Sequence, residues 1–93
     1  MVIGVLRFTL RLPEAQSLKE KRWQLKSLIT RIRNEFNVSV SEIDMQDKWQ
    51  LAVLGVAHIS NDQNHSNRVL DQILNFAEKS RTMELTDSQI EFV

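Results

Sequence analysis

The stretch from Ser17 to Phe36, SLKEKRWQLKSLITRIRNEF, repeats its apolar residues at helical spacing and constrains everything around it. At about 100° per residue, Leu18, Leu25, Leu28, Ile29, Ile32 and Phe36 fall on one arc of roughly 100°, the width of a core-facing stripe. Ser17 followed by Glu20 is a capping-box start. A helix of this kind persists only when its stripe is covered by another layer of structure. Lys19, Arg22, Lys26 and Arg33 share an adjoining arc, and Trp23 lies beyond them, away from the apolar side.

The rest of the chain supplies that layer. Val2 to Leu12 reads as a strand, with Leu6, Phe8, Leu10 and Leu12 on the core face. Ile3, Val5, Arg7, Thr9 and Arg11 share its other face, and Pro13 stops it. Phe36 to Met45 reads as a second strand whose alternation slips, so a bulge is expected near Ser41 and Glu42. Gln46-Asp47-Lys48 is a hairpin turn into a third strand, Trp49 to Ile59. That strand is apolar on both faces at its middle, which marks a central strand. Gly55 within it suggests close approach by a helix or backbone. Ser60, Asn61 and Asp62 are candidate caps, Ser60 with Gln63 in a capping box. A second helix runs from Asp62 to about Lys79 on Val69, Leu70, Ile73, Leu74 and Ala77. Arg81 to Val93 is a last strand, its phase broken around Thr86 to Ser88, as suits a sheet edge.

The order βαββαβ with right-handed crossovers predicts an α+β fold. It is the ferredoxin-like arrangement, a four-stranded antiparallel sheet with two helices on one face, over a single domain of residues 1–93. The first and third strands are expected at its centre. Their outward residues are expected to form an open face of Ile3, Val5, Arg7, Leu54, Val56 and His58.

Several function classes are disfavoured by what the chain lacks. It has no cysteine, so disulfides and thiolate metal sites are excluded and a reducing cytoplasm is the natural compartment. No apolar run approaches the ~18 residues of a membrane span, and the opening MVIGVLRF does not read as a signal peptide. No membrane partner, metal or cofactor is expected. The net charge is zero but unevenly spread. Residues 1–33 carry eight bases against two acids, and residues 34–93 carry four bases against ten acids. A dipolar surface with one side suited to a polyanion follows.

The basic candidates are Arg7, Arg11, Lys19, Lys21, Arg22, Lys26 and Arg33, taken together as contacts for RNA phosphates. Lys21 turns closest to the core stripe, so its stem is expected to pack. Trp23 could stack on a base or lie along the stems of Lys19 and Lys26. The sheet face lacks the aromatics with which RNA-recognition domains stack bases. Its apolar Ile3, Val5, Leu54 and Val56 point instead to a partner, a second copy or another protein. Glu42, Asp44 and Asp47 cluster around the hairpin and would be the residues of any catalytic or Mg²⁺ site. No histidine, lysine pair or glycine-rich loop accompanies them, so a non-enzymatic protein is expected. His58 and His65 alone make a poor metal site, and no base is placed in sequence to activate Ser60.

The runs GVLRFTLRLP, SLKEKR, FNVSVSEIDMQDKWQ and AVLGVAHISND resemble the YlxP-like bacterial family, a domain of unknown function. The resemblance covers nearly the whole chain. It rests on Ser17, Leu18, Lys19, Glu20, Lys21, Arg22, Asn37, Asp44, Gln46, Asp47, Trp49 and Gln50, while Trp23 and His58 depart from the expected pattern. The resemblance implies a ferredoxin-like fold. It also implies a small cytoplasmic protein encoded beside transcription-elongation, translation-initiation and ribosome-maturation factors. The leading expectation is therefore an accessory factor for RNA or a ribosomal subunit. A homodimer through the open sheet face is the alternative.

Overall fold

A computed structural model describes all residues, Met1–Val93. In chain order the elements are β1 (Val2–Arg11), α1 (Leu18–Glu35), β2 (Ser39–Asp44), β3 (Leu51–Ser60), α2 (Gln63–Glu78) and β4 (Glu84–Phe92). The strands form one antiparallel sheet in the order β2-β3-β1-β4. Both helices cover one face, giving the expected ferredoxin-like α+β fold. No helix is long and apolar enough to cross a membrane.

Local chemistry fixes the element ends. Ser17 Oγ accepts from the Glu20 amide at 3.1 Å, and Glu20 Oε2 accepts from the Gln16 amide at 2.6 Å, so orphan donors at the start of α1 are satisfied. Phe36, expected to open the second strand, instead closes α1: its amide donates to the Ile32 carbonyl at 2.9 Å. At α2 the cap is Asp62, whose Oδ1 accepts from the amides of Asn64 and His65. Ser60 does not form the expected capping box with Gln63. Its hydroxyl donates to the Asp62 carbonyl and lies 2.6 Å from Ser66 Oγ.

The core lies between the sheet and the helices. Leu6, Phe8, Leu10 and Leu12 of the first strand and its exit are buried, as the alternation predicts. Leu25, Leu28 and Ile32 of α1 and Leu70, Ile73 and Ala77 of α2 close over them. Gly4 lets α2 come close, since a Cβ there would meet Leu70 Cδ1 at 3.0 Å.

The sheet register corrects the expected open face. Leu6 pairs with Val56 and Phe8 with Leu54, and directly paired residues point to the same side. Leu54 and Val56 are therefore core residues, with no more than 2% of their surface exposed, and they cannot form a partner interface. His58 faces the same way and is also buried. The outward residues of β3 are instead Leu51, Val53, Gly55, Ala57 and Ile59, opposite Arg11, Thr9, Arg7, Val5 and Ile3.

The bulge in β2 falls one residue later than the alternation suggests. Glu42 pairs with Leu54 and Asp44 with Val53, leaving Ile43 as the extra residue. Ile43 stays on the outer face with Ser41, and its side chain covers Gly55, while the extra residue brings Asp44 to that face as well. A Cβ at Gly55 would meet Ile43 Cγ2 at 3.0 Å, so the close approach is made by a side chain and not by a helix or backbone. In β4 the register shifts between the partners of Thr9 and Leu10, leaving Thr86 unpaired where the sequence phase breaks.

Candidate nucleic-acid interface

The outer side of α1 carries a row of cations without ion-pair partners. Lys19, Arg22, Lys26 and Arg33 are all exposed. The three ion pairs of the chain are Arg7–Asp44, Arg11–Glu84 and Lys21–Glu42. No carboxylate therefore pairs with any of these four helix cations. Arg33 donates to the Val40 carbonyl at 2.9 Å, which bends its guanidinium toward the edge strand β2. Arg31, further round the helix, lies over the Phe76 ring at 4.9 Å and is engaged with α2.

Between α1 and β2 runs an open groove of about 270 Å³. Arg22, Lys26, Thr30 and Arg33 form its helix wall, and Val40, Ser41 and Glu42 its strand wall. Helical spacing of the basic residues aims them along this groove. The α1 stripe, by contrast, turns into the core.

The seven predicted phosphate contacts do not form one surface. Lys21 is removed from the set, being completely buried. Its ammonium donates to the Met45 carbonyl at 2.6 Å and lies 2.9 Å from Glu42 Oε2. That carboxylate oxygen has no other polar partner, so the Lys21 ammonium alone holds it. Arg7 and Arg11 stand on the outer sheet face, across the sheet from α1, and each is engaged by an acid. Arg7 lies 3.5 Å from Asp44, and the Arg11 guanidinium reaches both Glu84 oxygens, at 3.1 and 3.4 Å. One strand of nucleic acid lying on α1 would not touch them.

The hidden position of Lys21 matters to the groove. Glu42 is the only acid lining it, and Lys21 neutralises that acid from below. The positive potential of Arg22, Lys26 and Arg33 is thereby left undiminished. The sequence hints at this lysine through its angle near the core stripe. Nothing in the sequence marks Glu42 as its partner.

Much of the sequence that carries the family resemblance builds a clasp. Gln50 Nε2 donates to the carbonyls of Pro13 and Ala15 at 3.1 and 3.2 Å, and the Leu12 amide donates to the Gln50 carbonyl at 2.9 Å. Asp44 Oδ1 accepts from the Met45 amide at 2.8 Å. Met45 sits at φ 60, a left-handed conformation uncommon outside glycine. Lys21 and Gln50 hold the β2–β3 hairpin against the start of α1 and the loop that enters it, and Asp44 fixes the Met45 turn within the hairpin. Trp49 lies in this hairpin, outside β3, and is exposed.

The acidic trio does not converge. Glu42 turns to Lys21 and Asp44 to Arg7, and no three His, Asp or Glu side chains lie together as a metal site would need. His58 and Ser66 do meet, with Nδ1 and Oγ 2.8 Å apart, and Ser66 in turn meets Ser60. Ser66 is fully buried, so this chain of polar groups ties α2 to the end of β3.

The outer sheet face holds a shallow depression of about 370 Å³ lined by Val5, Arg7, Ile43, Gly55, Gln89 and Glu91. Ile59, 64% exposed, extends the apolar surface toward one end, beside Ile3.

Two comparisons bear on this chain. Residues 3–90 match the family described as "Protein of unknown function (DUF503)". The chain is also 40% identical over 79 residues to the "Uncharacterized protein YlxP" of Bacillus subtilis (strain 168), covering 85% of this chain and 86% of that protein.

Proposed function

This chain belongs to the DUF503 family of proteins of unknown function, and from that premise we propose that it is an RNA- or ribosome-associated accessory protein, not a catalyst. It holds phosphates on the outer face of α1. The observation that carries this reading is the set Lys19, Arg22, Lys26 and Arg33, exposed on one side of one helix with no carboxylate partner. Surface cations left unpaired in this number are what counterion-releasing phosphate contacts require.

The test is a salt series of RNA or ribosomal-subunit binding for the unmodified protein and for a variant with all four residues changed to Gln. Affinity should fall steeply with salt. Each replacement should weaken binding about equally across sequences and lower the slope by about one, or about 0.7 on a single strand. Folding should survive, because exposed substitutions cost under about 0.5 kcal/mol each and the one hydrogen bond lost, from Arg33 to the Val40 carbonyl, is worth about 1 kcal/mol. Equal affinity and equal slope for the two proteins would refute the reading. A DNA strand that outcompetes RNA of the same sequence would refute its RNA part.

A second reading is favoured by the exposure of Ile59 beside Ile3 and Val5: a second copy of the chain packs on the outer sheet face. Ile59→Glu should then give monomers in sedimentation. A monomer for the unmodified protein at high concentration would sink the idea. Leu54→Glu would test the core and not this face.

A further inference from the structure

We infer that the ligand of α1 is a single, unpaired strand, with its phosphates along the α1–β2 groove and one base stacked on Trp23. This rests on the RNA reading above and goes further, because it names the form of the nucleic acid and adds a contact that carries no charge.

Trp23 is 75% exposed, an unusual state for the largest apolar side chain. The chain's one cation stacked on an aromatic ring is Arg31 on Phe76, so neither Lys19 nor Lys26 occupies the indole face. Both faces of the problem meet at this residue. Lys19 and Lys26 are its neighbours one turn before and one turn after on the helix surface. At about 100° per residue, Trp23 stands roughly 60° round the helix from Lys26, on the side away from the core. A backbone lying against Arg22, Lys26 and Arg33 would run beside the indole, close enough for a base to turn onto it.

The groove can take the backbone of such a strand. It is lined by the hydroxyl-bearing Thr30 and Ser41 and floored by Leu25 and Ile29, a mixture that suits sugar and phosphate together. Its one acid is already neutralised by Lys21. A base pair inside an A-form helix has both faces stacked and offers none to an indole, whereas an unpaired base does.

The experiment uses the Trp49→Phe protein, which leaves Trp23 as the sole tryptophan. A single-stranded oligoribonucleotide should quench its emission. Trp23→Ala should weaken single-strand binding about 5- to 150-fold and leave the salt slope unchanged, since an indole releases no counterion. Trp23→Phe should recover part of that loss. The matched RNA duplex should bind less tightly than the single strand, and Trp23→Ala should not affect its binding. Unquenched emission at saturating RNA, or unchanged affinity for Trp23→Ala while the fourfold Gln variant loses binding, would overturn the inference and leave the phosphate reading standing. If the unmodified protein binds neither strand nor duplex, both fall.

Discussion

The two helices each bury one polar side chain at the same place, the fourth residue: Lys21 in α1 and Ser66 in α2. They solve the same problem by different means. Ser66 is neutral and bonds to His58 and Ser60, so α2 is tied to the sheet without moving any charge out of water. Lys21 is an ammonium and must be held by the Glu42 carboxylate and the Met45 carbonyl. The neutral device shows that a helix of this fold can be anchored without an ion pair. The lysine does what the serine does not: it offsets the charge of Glu42 in the wall of a groove lined by Arg22, Lys26 and Arg33. α2 carries one base, Arg68, against two acids, Asp71 and Glu78, and has no such groove charge to protect.

The contrast can be broken by substitution. Lys21→Gln should have the largest effect, about 3 kcal/mol of lost stability, because it leaves Glu42 half-buried without its cation. For a domain of this size that is a fall in Tm of more than about 10 °C. Removing both charges, as in Lys21→Met with Glu42→Leu, should restore most of the loss, as replaced ion pairs often do. Urea melts of the single and double variants would measure this. A single variant within about 0.5 kcal/mol of the unmodified protein would show that the pair is structurally idle.

Ser66→Ala should cost less, about 1–2 kcal/mol, by leaving the buried Nδ1 of His58 without its partner. If it costs as much as Lys21→Gln, the distinction between a neutral and a charged anchor fails. The smallest effect should come from the residue that Lys21 holds. Met45→Gly relieves a left-handed backbone and should raise stability by up to about 1 kcal/mol in the same melts, with no change at Ser66.

The topology of this fold was legible because two periodicities alternate without interruption by long loops. The core face of β1 was legible too, since Leu6, Phe8, Leu10 and Leu12 alternate with Arg7 and Arg11. The core face of β3 was not. Both of its sets are apolar in the middle, and the set ending in Gln50 and His58 looked like the wet one. Those polar ends are satisfied by particular contacts, Gln50 with the Pro13 and Ala15 carbonyls and His58 with Ser66, which join residues distant in sequence. Alternation cannot report such contacts. The candidate site divides in the same way. Helical spacing located Lys19, Arg22, Lys26 and Arg33 on one exposed face and Trp23 beside them. It could not separate them from Arg7 and Arg11, because the side of the sheet on which a strand's arginines emerge depends on packing. Nor could it reveal that Glu42 would take Lys21 out of the set.

Ile43 and Gly55 form a pair whose consequence reaches beyond this one sequence. Ile43 crowds the space where a side chain at position 55 would start, and the bulge beside it is what brings Asp44 to the same outer face. The two positions are coupled across descendants of this chain. A lineage that replaces Gly55 must shift or trim Ile43, and a lineage that loses the bulge turns Asp44 away from Arg7. A larger residue at 55 should therefore come with a smaller one at 43.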